Sequence, residues 1–213
     1  MPRATRITAA ALGVYAGILG IEHGVFAFLQ GNVAPNGLLF NAIGPPCQAE
    51  TAWHACLPAM TLVPNLRITG MLAVVVGLLA IIWAVAFVQK PRGGWVLMAL
   101  FVALLLVGGG FVPAFVGWIA GVTATRLHAP PGHGWLSRLR GGRRLLANLW
   151  PWPLIILFAW LAGGWLLGHL FGEAMLRWGF VLFFLFDLGT PWLAAFSGCA
   201  HDVWGEGKDT VTT

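Results

Sequence analysis

The sequence predicts an all-α, polytopic integral membrane helix bundle with five to six membrane passages. Apolar residues make up 59% of the 213 residues and charged residues only 9%, whereas soluble domains are about one quarter charged. A helix needs about 20 mostly apolar residues to cross a bilayer, and several such stretches follow one another along the chain. These observations indicate a single transmembrane domain, residues 1–213, with one glycine- and proline-broken segment that forms a hairpin or a bent helix.

The first predicted span covers residues 7–30 and is interrupted only by Glu22 and His23. Small residues recur along it at spacings of three and four, which places them on one face of a helix. They are Gly13, Gly17, Gly20, Gly24, Ala27 and Gly31. Such stripes are typical of close helix packing. Because Glu22 falls on the opposite face, we expect this helix to lie at the centre of the bundle or at an oligomer interface.

A long polar connection, residues 31–66, follows the first span and carries Cys47, His54 and Cys56. Connections of this length are either functional or internally organised. The two cysteines would close a disulfide if this loop faces an oxidising compartment, and would otherwise remain a free pair. We predict the disulfide, with the connection as an outer loop.

The second predicted span, residues 68–88, carries no charge and ends at Lys90, Pro91 and Arg92. The next uncharged stretch, residues 93–125, is too long for one ordinary span. It contains Gly108-Gly109-Gly110 and Pro113, which break helices. It therefore forms either one long bent helix or two short spans, residues 94–107 and 111–124.

A basic connection, residues 126–144, holds five arginines and precedes the last two predicted spans, residues 150–170 and 178–200. The last span contains Asp187 and a predicted break at Gly189-Thr190-Pro191. The tail from His201 is polar, and we expect it to fray.

Basic residues are enriched on the cytoplasmic side of membrane proteins, and this bias distinguishes the two alternatives for residues 93–125. A single passage with a cytoplasmic N-terminus leaves five basic residues inside and seven outside, and the reversed orientation gives only weak support. A hairpin leaves ten inside and two outside, Arg67 and Arg177. The bias favours the hairpin, a cytoplasmic N-terminus and a basic cytoplasmic loop, in what we expect to be a prokaryotic plasma membrane.

The ionisable residues inside the predicted spans are the candidates for a functional site. A charged side chain at the bilayer centre costs about 2.5–3.5 kcal/mol on insertion scales, so Glu22 and Asp187 should be protonated, paired or facing water. With His23, they predict a substrate or ion pathway. The alternative is structural, since buried polar groups also form hydrogen bonds between helices.

A second candidate site combines His169 and Glu173 with His54. Four residues apart, His169 and Glu173 would lie one turn apart on a continuous helix and bind one metal ion. An interfacial polar cap is the alternative for this pair, and an ordinary loop position is the alternative for His54. The cofactor of such a site could be a metal ion or haem, and the sequence does not distinguish between them.

Three functions fit these features. The leading hypothesis is transport or conduction of a small solute, proton or metal ion, because helix breakers and buried acids inside spans suit it. The alternatives are a metal- or haem-binding membrane enzyme or redox subunit, and a structural subunit of a larger complex or homo-oligomer. The sequence lacks the common hydrolase, zinc-protease and phosphate-loop motifs, so enzymatic activity is undecided. We expect the basic loop to contact anionic lipid and expect no nucleic-acid partner.

Overall fold

The computed structural model describes residues 2–41, 57–128 and 142–209, and these are mostly helical, so the all-α prediction is confirmed. The α-helices in these ranges are α1 (Arg3–Leu29), α2 (Leu66–Ala86), α3 (Gly93–Leu106), α4 (Phe111–Thr125), α5 (Gly142–Leu149), α6 (Trp152–Leu170), α7 (Gly172–Leu182) and α8 (Thr190–Asp209). A π-helical segment, Phe183–Gly189, joins α7 to α8. Two short antiparallel strands, β1 (Leu39–Asn41) and β2 (Pro58–Met60), pair with Leu39 opposite Met60.

Three helices in the described part of the chain are long and apolar enough to cross a membrane: Arg3–Leu29, Leu66–Ala86 and Phe183–Trp204. A fourth crossing arises if the pair Gly142–Leu149 and Trp152–Gly164, bent by 44°, counts as one span. These helices indicate membrane association. The larger number of five to six passages stays a prediction, because α3 and α4 are short.

In helix α2 the small side chains are buried and the large apolar side chains are exposed, which is the reverse of the usual arrangement in a water-soluble protein. Its buried positions are almost all small: Thr69, Gly70, Ala73, Gly77, Ala80 and Ala84. Its exposed positions carry large apolar side chains, among them Met71, Val75 and Ile82, each more than half exposed. Burial of large apolar groups dominates the stability of proteins in water, whereas small residues at helix contacts and large ones toward lipid are typical of membrane proteins. The exposed face of α2 therefore suits lipid.

Gly13, Gly17 and Gly24 of the α1 stripe pack directly on α2, which confirms for them the close packing expected from the spacing. Gly20 instead faces Leu104 of α3, and a β-carbon on Gly31 would have no atom within 4 Å. A β-carbon on Gly24 would lie 2.9 Å from both Ala73 Cβ and the Gly70 carbonyl oxygen, and one on Gly13 would lie 2.6 Å from Ala84 Cβ. The contact runs from Gly24 with Gly70 at one end to Gly13 with Ala84 at the other, so the two helices are antiparallel. Besides α2, α1 contacts α4, α6 and α8, which places it at the centre of the bundle.

Residues 93–125 form a helical hairpin, one of the two alternatives that the sequence left open. Helices α3 and α4 pack against each other, with Gly94 beside Gly121 and Gly117 against the ring of Phe101. Gly108 and Gly110 have positive φ values of 93° and 83°, which glycine adopts without steric cost. With 14 and 15 residues, the helices are about 21–23 Å long, shorter than the roughly 30 Å hydrocarbon core of a bilayer.

The N-terminus of α1 is capped by a side chain from the other end of the sequence. The carboxylate of Asp202 accepts hydrogen bonds from Ala4 N (3.0 Å) and Thr5 N (2.7 Å). The residue before α1, Pro2, provides no side-chain cap, so Asp202 satisfies two of the four free N–H groups of the first turn and lies at the positive end of the helix dipole. The expectation that the tail frays from His201 is wrong, because α8 continues to Asp209 and docks on α1.

We expect Asp202→Ala to lower the free energy of unfolding by about 1–2 kcal/mol, because both N–H groups lose their acceptor. Asp202→Asn retains one carbonyl oxygen and should lose less. Thermal unfolding of the purified protein in mild detergent measures both variants against the wild type. An Asp202→Ala protein as stable as the wild type would contradict the capping role.

The strand pair is tied to the turn of the α3–α4 hairpin. Thr61, just after β2, forms a bridge with Val107, and Leu62 N donates to the Leu106 carbonyl oxygen (3.0 Å). The hydroxyl of Thr61 is also 2.9 Å from that of Thr69 in α2. The strand pair, the start of α2 and the hairpin turn therefore meet at one end of the bundle, opposite the end where α1 begins.

Candidate functional site

A cavity of about 50 Å³ lies between α1, α6 and the π-helical segment. Its polar lining consists of Tyr15, Glu22, His23 and Asp187, with the indole of Trp160 beside them. The other lining residues are apolar or glycine: Leu19, Leu57, Val112, Leu161, Gly164 and Phe183. One water molecule needs roughly 10–15 Å³ on this measure, so the cavity accommodates a few waters or one small ion.

Helix α1 provides the polar wall of this cavity from a single face. Tyr15, Leu19, Glu22 and His23 are spaced four, three and one residues apart, which aligns them on one side of a helix. This side is roughly opposite the glycine stripe. Close packing of the stripe on α2 therefore fixes the direction in which the polar face points.

Asp187 reaches the cavity from the π-helical segment. Its side chain is only 5% exposed, and Tyr15 donates a hydrogen bond to Oδ1 (3.3 Å). Trp160 also interacts with the carboxyl group. Its second oxygen, Oδ2, is buried and has no hydrogen-bond partner within the described ranges. A buried carboxyl oxygen without a hydrogen-bond partner lowers the stability of the folded protein. Packing alone therefore does not explain why an aspartate stands at this position.

The π-helical turn results from the chemistry of Thr190 and Pro191. Thr190 donates both its backbone N–H and its hydroxyl (2.9 Å) to the carbonyl oxygen of Leu185, five residues back, and Pro191 has no N–H to continue the α-helical ladder. The predicted break is therefore accommodated by a wider turn and not by an interrupted helix. Such turns often occur at functional sites, and this one carries Asp187.

His23 is oriented by its own helix and by the hairpin turn. It is 4% exposed, and its Nδ1 lies 3.0 Å from the Leu19 carbonyl oxygen. Since a carbonyl only accepts, Nδ1 carries the proton and Nε2 is the nitrogen left to accept one. The backbone of Gly110 approaches the other edge of the ring so closely that a β-carbon there would lie 2.6 Å from Nε2.

The structure brings together the three residues of the predicted pathway, since Glu22, His23 and Asp187 all line the cavity. Glu22 is half-buried, whereas the other two are buried.

The predicted metal ligands lie elsewhere. His169 and Glu173 are exposed and do not share a helix, because α6 ends at Leu170 and α7 begins at Gly172. His54, Cys47 and Cys56 lie outside the described residues. Within the described ranges, no group of three or more His, Cys, Asp or Glu side chains is arranged to hold a metal ion.

Tyr15 and Trp160 are the site residues that the sequence-based reasoning missed. Tyr15 is the only tyrosine in the chain, and it stands seven residues before Glu22, two helical turns away on the same face. That combination could have identified it. Trp160 is one of 12 tryptophans, and no local pattern distinguishes it from the others.

Comparison of this chain with protein-family models, curated proteins and solved structures gives no match.

Proposed function

We propose that this protein conducts or transports a small solute, a proton or a metal ion across the membrane through the cavity between α1, α6 and the π-helical segment. The observation that carries the proposal is the buried carboxyl group of Asp187, a residue that lines the cavity and whose Oδ2 lacks a hydrogen-bond partner in the described ranges. Ionisable groups inside membrane helices are expensive and usually belong to ion or proton pathways. The small volume of the cavity favours a small species over a bulky cofactor.

The backbone around the site also supports transport. Transporters often place their sites where a spanning helix is irregular, because the irregular backbone is tolerated beside a water-filled cavity. Here the π-helical turn carries Asp187, and the glycine turn of the α3–α4 hairpin reaches His23. Two irregular segments therefore border the same cavity.

We further propose that the α3–α4 hairpin makes two short passages, which gives six in all with the N-terminus in the cytoplasm of a prokaryotic cell. The positions of basic residues support this orientation. Arg3, Lys90, Arg92 and Arg126 lie at the helix ends on the side where α1 begins, whereas Arg67 lies at the start of α2 on the opposite side. In this orientation the predicted Cys47–Cys56 disulfide would face the oxidising side.

The partners we propose are the bilayer and its anionic lipids on the basic side. Helix α5 supports this, because the exposed Arg144 stands beside Leu145, which is 68% exposed, in a short amphipathic helix, whereas Arg143 lies over the ring of Trp204. Such helices lie in the membrane interface with arginine toward lipid headgroups. We also propose that the protein forms a homo-oligomer or belongs to a larger membrane complex.

The test is flux into proteoliposomes, measured separately for protons, Na⁺, K⁺ and Zn²⁺ with empty liposomes as the baseline. We expect Asp187→Asn to lower the flux of the wild type by roughly tenfold or more, because an amide neither ionises nor releases a proton at this position. Ser197→Ala is the matched control, since Ser197 is a fully buried polar residue of α8 outside the cavity lining. The proposal is wrong for protons and metal ions if the wild type moves none of these ions, or if Asp187→Asn moves them at the wild-type rate.

A further inference from the structure

We infer that the species moved is a proton, and that a short chain of water molecules in the cavity carries it between the Tyr15–Asp187 pair and His23. This inference rests on the proposed function and names the substrate of that same site. It is carried by the spacing of the two polar ends, by the volume between them and by the hydrogen bonds that each end already makes.

The backbone separation of the two ends and the volume of the cavity suit a similar number of waters. Tyr15 and His23 are eight residues apart on α1, which separates their backbone positions by about 12 Å along the helix axis, and both residues line the cavity. Hydrogen-bonded oxygens are about 2.8 Å apart, so a row of three to four waters has the length of this backbone separation. The volume of about 50 Å³ holds roughly three to five waters at 10–15 Å³ each.

At each end of this chain, one polar atom makes no hydrogen bond to another described residue. At Asp187, Tyr15 occupies Oδ1, and Oδ2 has no partner within the described residues. At His23, the Leu19 carbonyl occupies Nδ1, which leaves the lone pair of Nε2. Glu22 adds a second carboxyl group to the same wall, one residue from His23.

Proton transfer along this path conserves atoms and charge. The Oδ2–H bond of Asp187 breaks as the first water takes the proton, and each water passes one of its own protons to the next. The last water donates a proton to Nε2 of His23, and that N–H bond breaks again when a water molecule outside the cavity accepts the proton. One proton enters Asp187 for each proton that leaves His23, so no oxidant or co-reactant is needed.

The remaining lining favours a proton over a metal ion. Leu19, Leu57, Val112, Leu161 and Phe183 present hydrocarbon to the cavity. A dehydrated cation needs several oxygen ligands to replace its hydration shell, whereas a proton needs only a continuous line of hydrogen bonds. The polar groups at two ends with apolar walls between them therefore suit proton transfer.

Two adjacent glycines of α6 provide a matched test of the water chain. Gly164 lines the cavity, whereas Gly163 does not, and a β-carbon on Gly163 would have no atom within 4 Å. Gly164→Val fills the cavity without altering a polar group and should lower proton flux roughly tenfold, because a hydrophobic constriction excludes water. Gly163→Val adds the same side chain one residue away and should leave flux unchanged.

Proton flux is measured in proteoliposomes with an internal pH-sensitive dye, driven by a K⁺ diffusion potential, beside parallel assays for Na⁺ and Zn²⁺. The inference requires proton flux that falls in both Asp187→Asn and Gly164→Val but not in Gly163→Val. Should Gly164→Val fail to fold, Gly164→Ala replaces it, since that methyl group makes only ordinary contacts with Trp160 at 3.8 Å and beyond. A two- to threefold loss is then expected.

The outcomes separate this inference from the proposed function. Asp187-dependent flux of Na⁺ or Zn²⁺ without proton flux would overturn the inference and leave the transport function standing. Asp187-dependent proton flux that is equal in the Gly164 and Gly163 variants would overturn the water chain. If no flux depends on Asp187, both proposals fail.

Discussion

Gly70→Val should prevent the protein from folding. A β-carbon on Gly70 would overlap backbone atoms of α1, namely the carbonyl oxygen of Gly24 and the amide nitrogen of Phe28. These atoms belong to one turn of a helix and cannot move apart without breaking it. We expect a loss of more than about 4 kcal/mol, in the range reserved for severe core defects, seen as aggregation or the absence of monodisperse protein in mild detergent.

Gly163→Val is the matched control for this experiment as well, because it places the same side chain inside a helix without a contact. It should remain monodisperse, with a change in stability of about 1 kcal/mol or less. Gly77→Ala tests an intermediate case, since its nearest contact is the flexible side chain of Ile21 at 2.7 Å. If Gly70→Val unfolds within a few degrees of the wild type, α1 and α2 do not pack as described.

Gly110→Ala should abolish flux through the site by moving His23. The added methyl group would lie 2.5 Å from Cδ2 and 2.6 Å from Nε2 of the imidazole, so the ring has to leave its position. The backbone of Gly110, with φ 83° and ψ 159°, lies in a region essentially restricted to glycine, which adds a strain of about 1–3 kcal/mol for a residue with a β-carbon. We expect at least a tenfold loss of flux in proteoliposomes, together with lower stability.

Gly37→Ala separates these two effects. Gly37 has a comparable positive φ of 98°, but a β-carbon there would have no atom within 4 Å. It should therefore cost similar strain and leave flux intact. Equal flux in the Gly110 and Gly37 variants would show that the position of His23 does not matter for transport.

The helices were predictable because they depend on local chemistry. Uninterrupted apolar runs, and breakers such as Pro91 and the glycines before Phe111, define the ends of the first five predicted spans to within a few residues. The last span, residues 178–200, was less well predicted, since α7 begins at Gly172 and α8 continues to Asp209. The α1–α2 contact was predictable in part. Spacing identified the glycine stripe of α1, and the small residues of α2 recur at the same spacings of three and four, as Gly70, Ala73, Gly77, Ala80 and Ala84. That the two stripes pack on each other follows only from the three-dimensional structure.

Features that depend on distant residues were not predictable. The cap on α1 comes from Asp202, 198 residues from Ala4, and nothing local to either residue indicates it. The strand pair β1–β2 was not predictable from the sequence either, because three residues are too few to show the alternation of a strand. The π-helical turn lies between these cases: Thr190 and Pro191 indicated an irregularity, but not that the helix would widen and continue.

The site was predicted from the cost of burying charge. This argument identified Glu22, His23 and Asp187, which meet at one cavity, because ionisable groups in apolar spans need water or partners. The same argument does not apply to Tyr15, whose hydroxyl is neutral and common at helix contacts. His169 and Glu173 were paired on the assumption of a continuous helix, and the change of direction at Phe171 removes that assumption.

The bridge between the strand pair and the hairpin turn connects the surface of the bundle to the imidazole of His23. Thr61 is bridged to Val107, three residues from Gly110, and the backbone of Gly110 lies against the ring of His23. We therefore expect a displacement of the strand pair to shift Nε2 through these two contacts. A ligand that binds the strand pair would then act on His23 without entering the cavity.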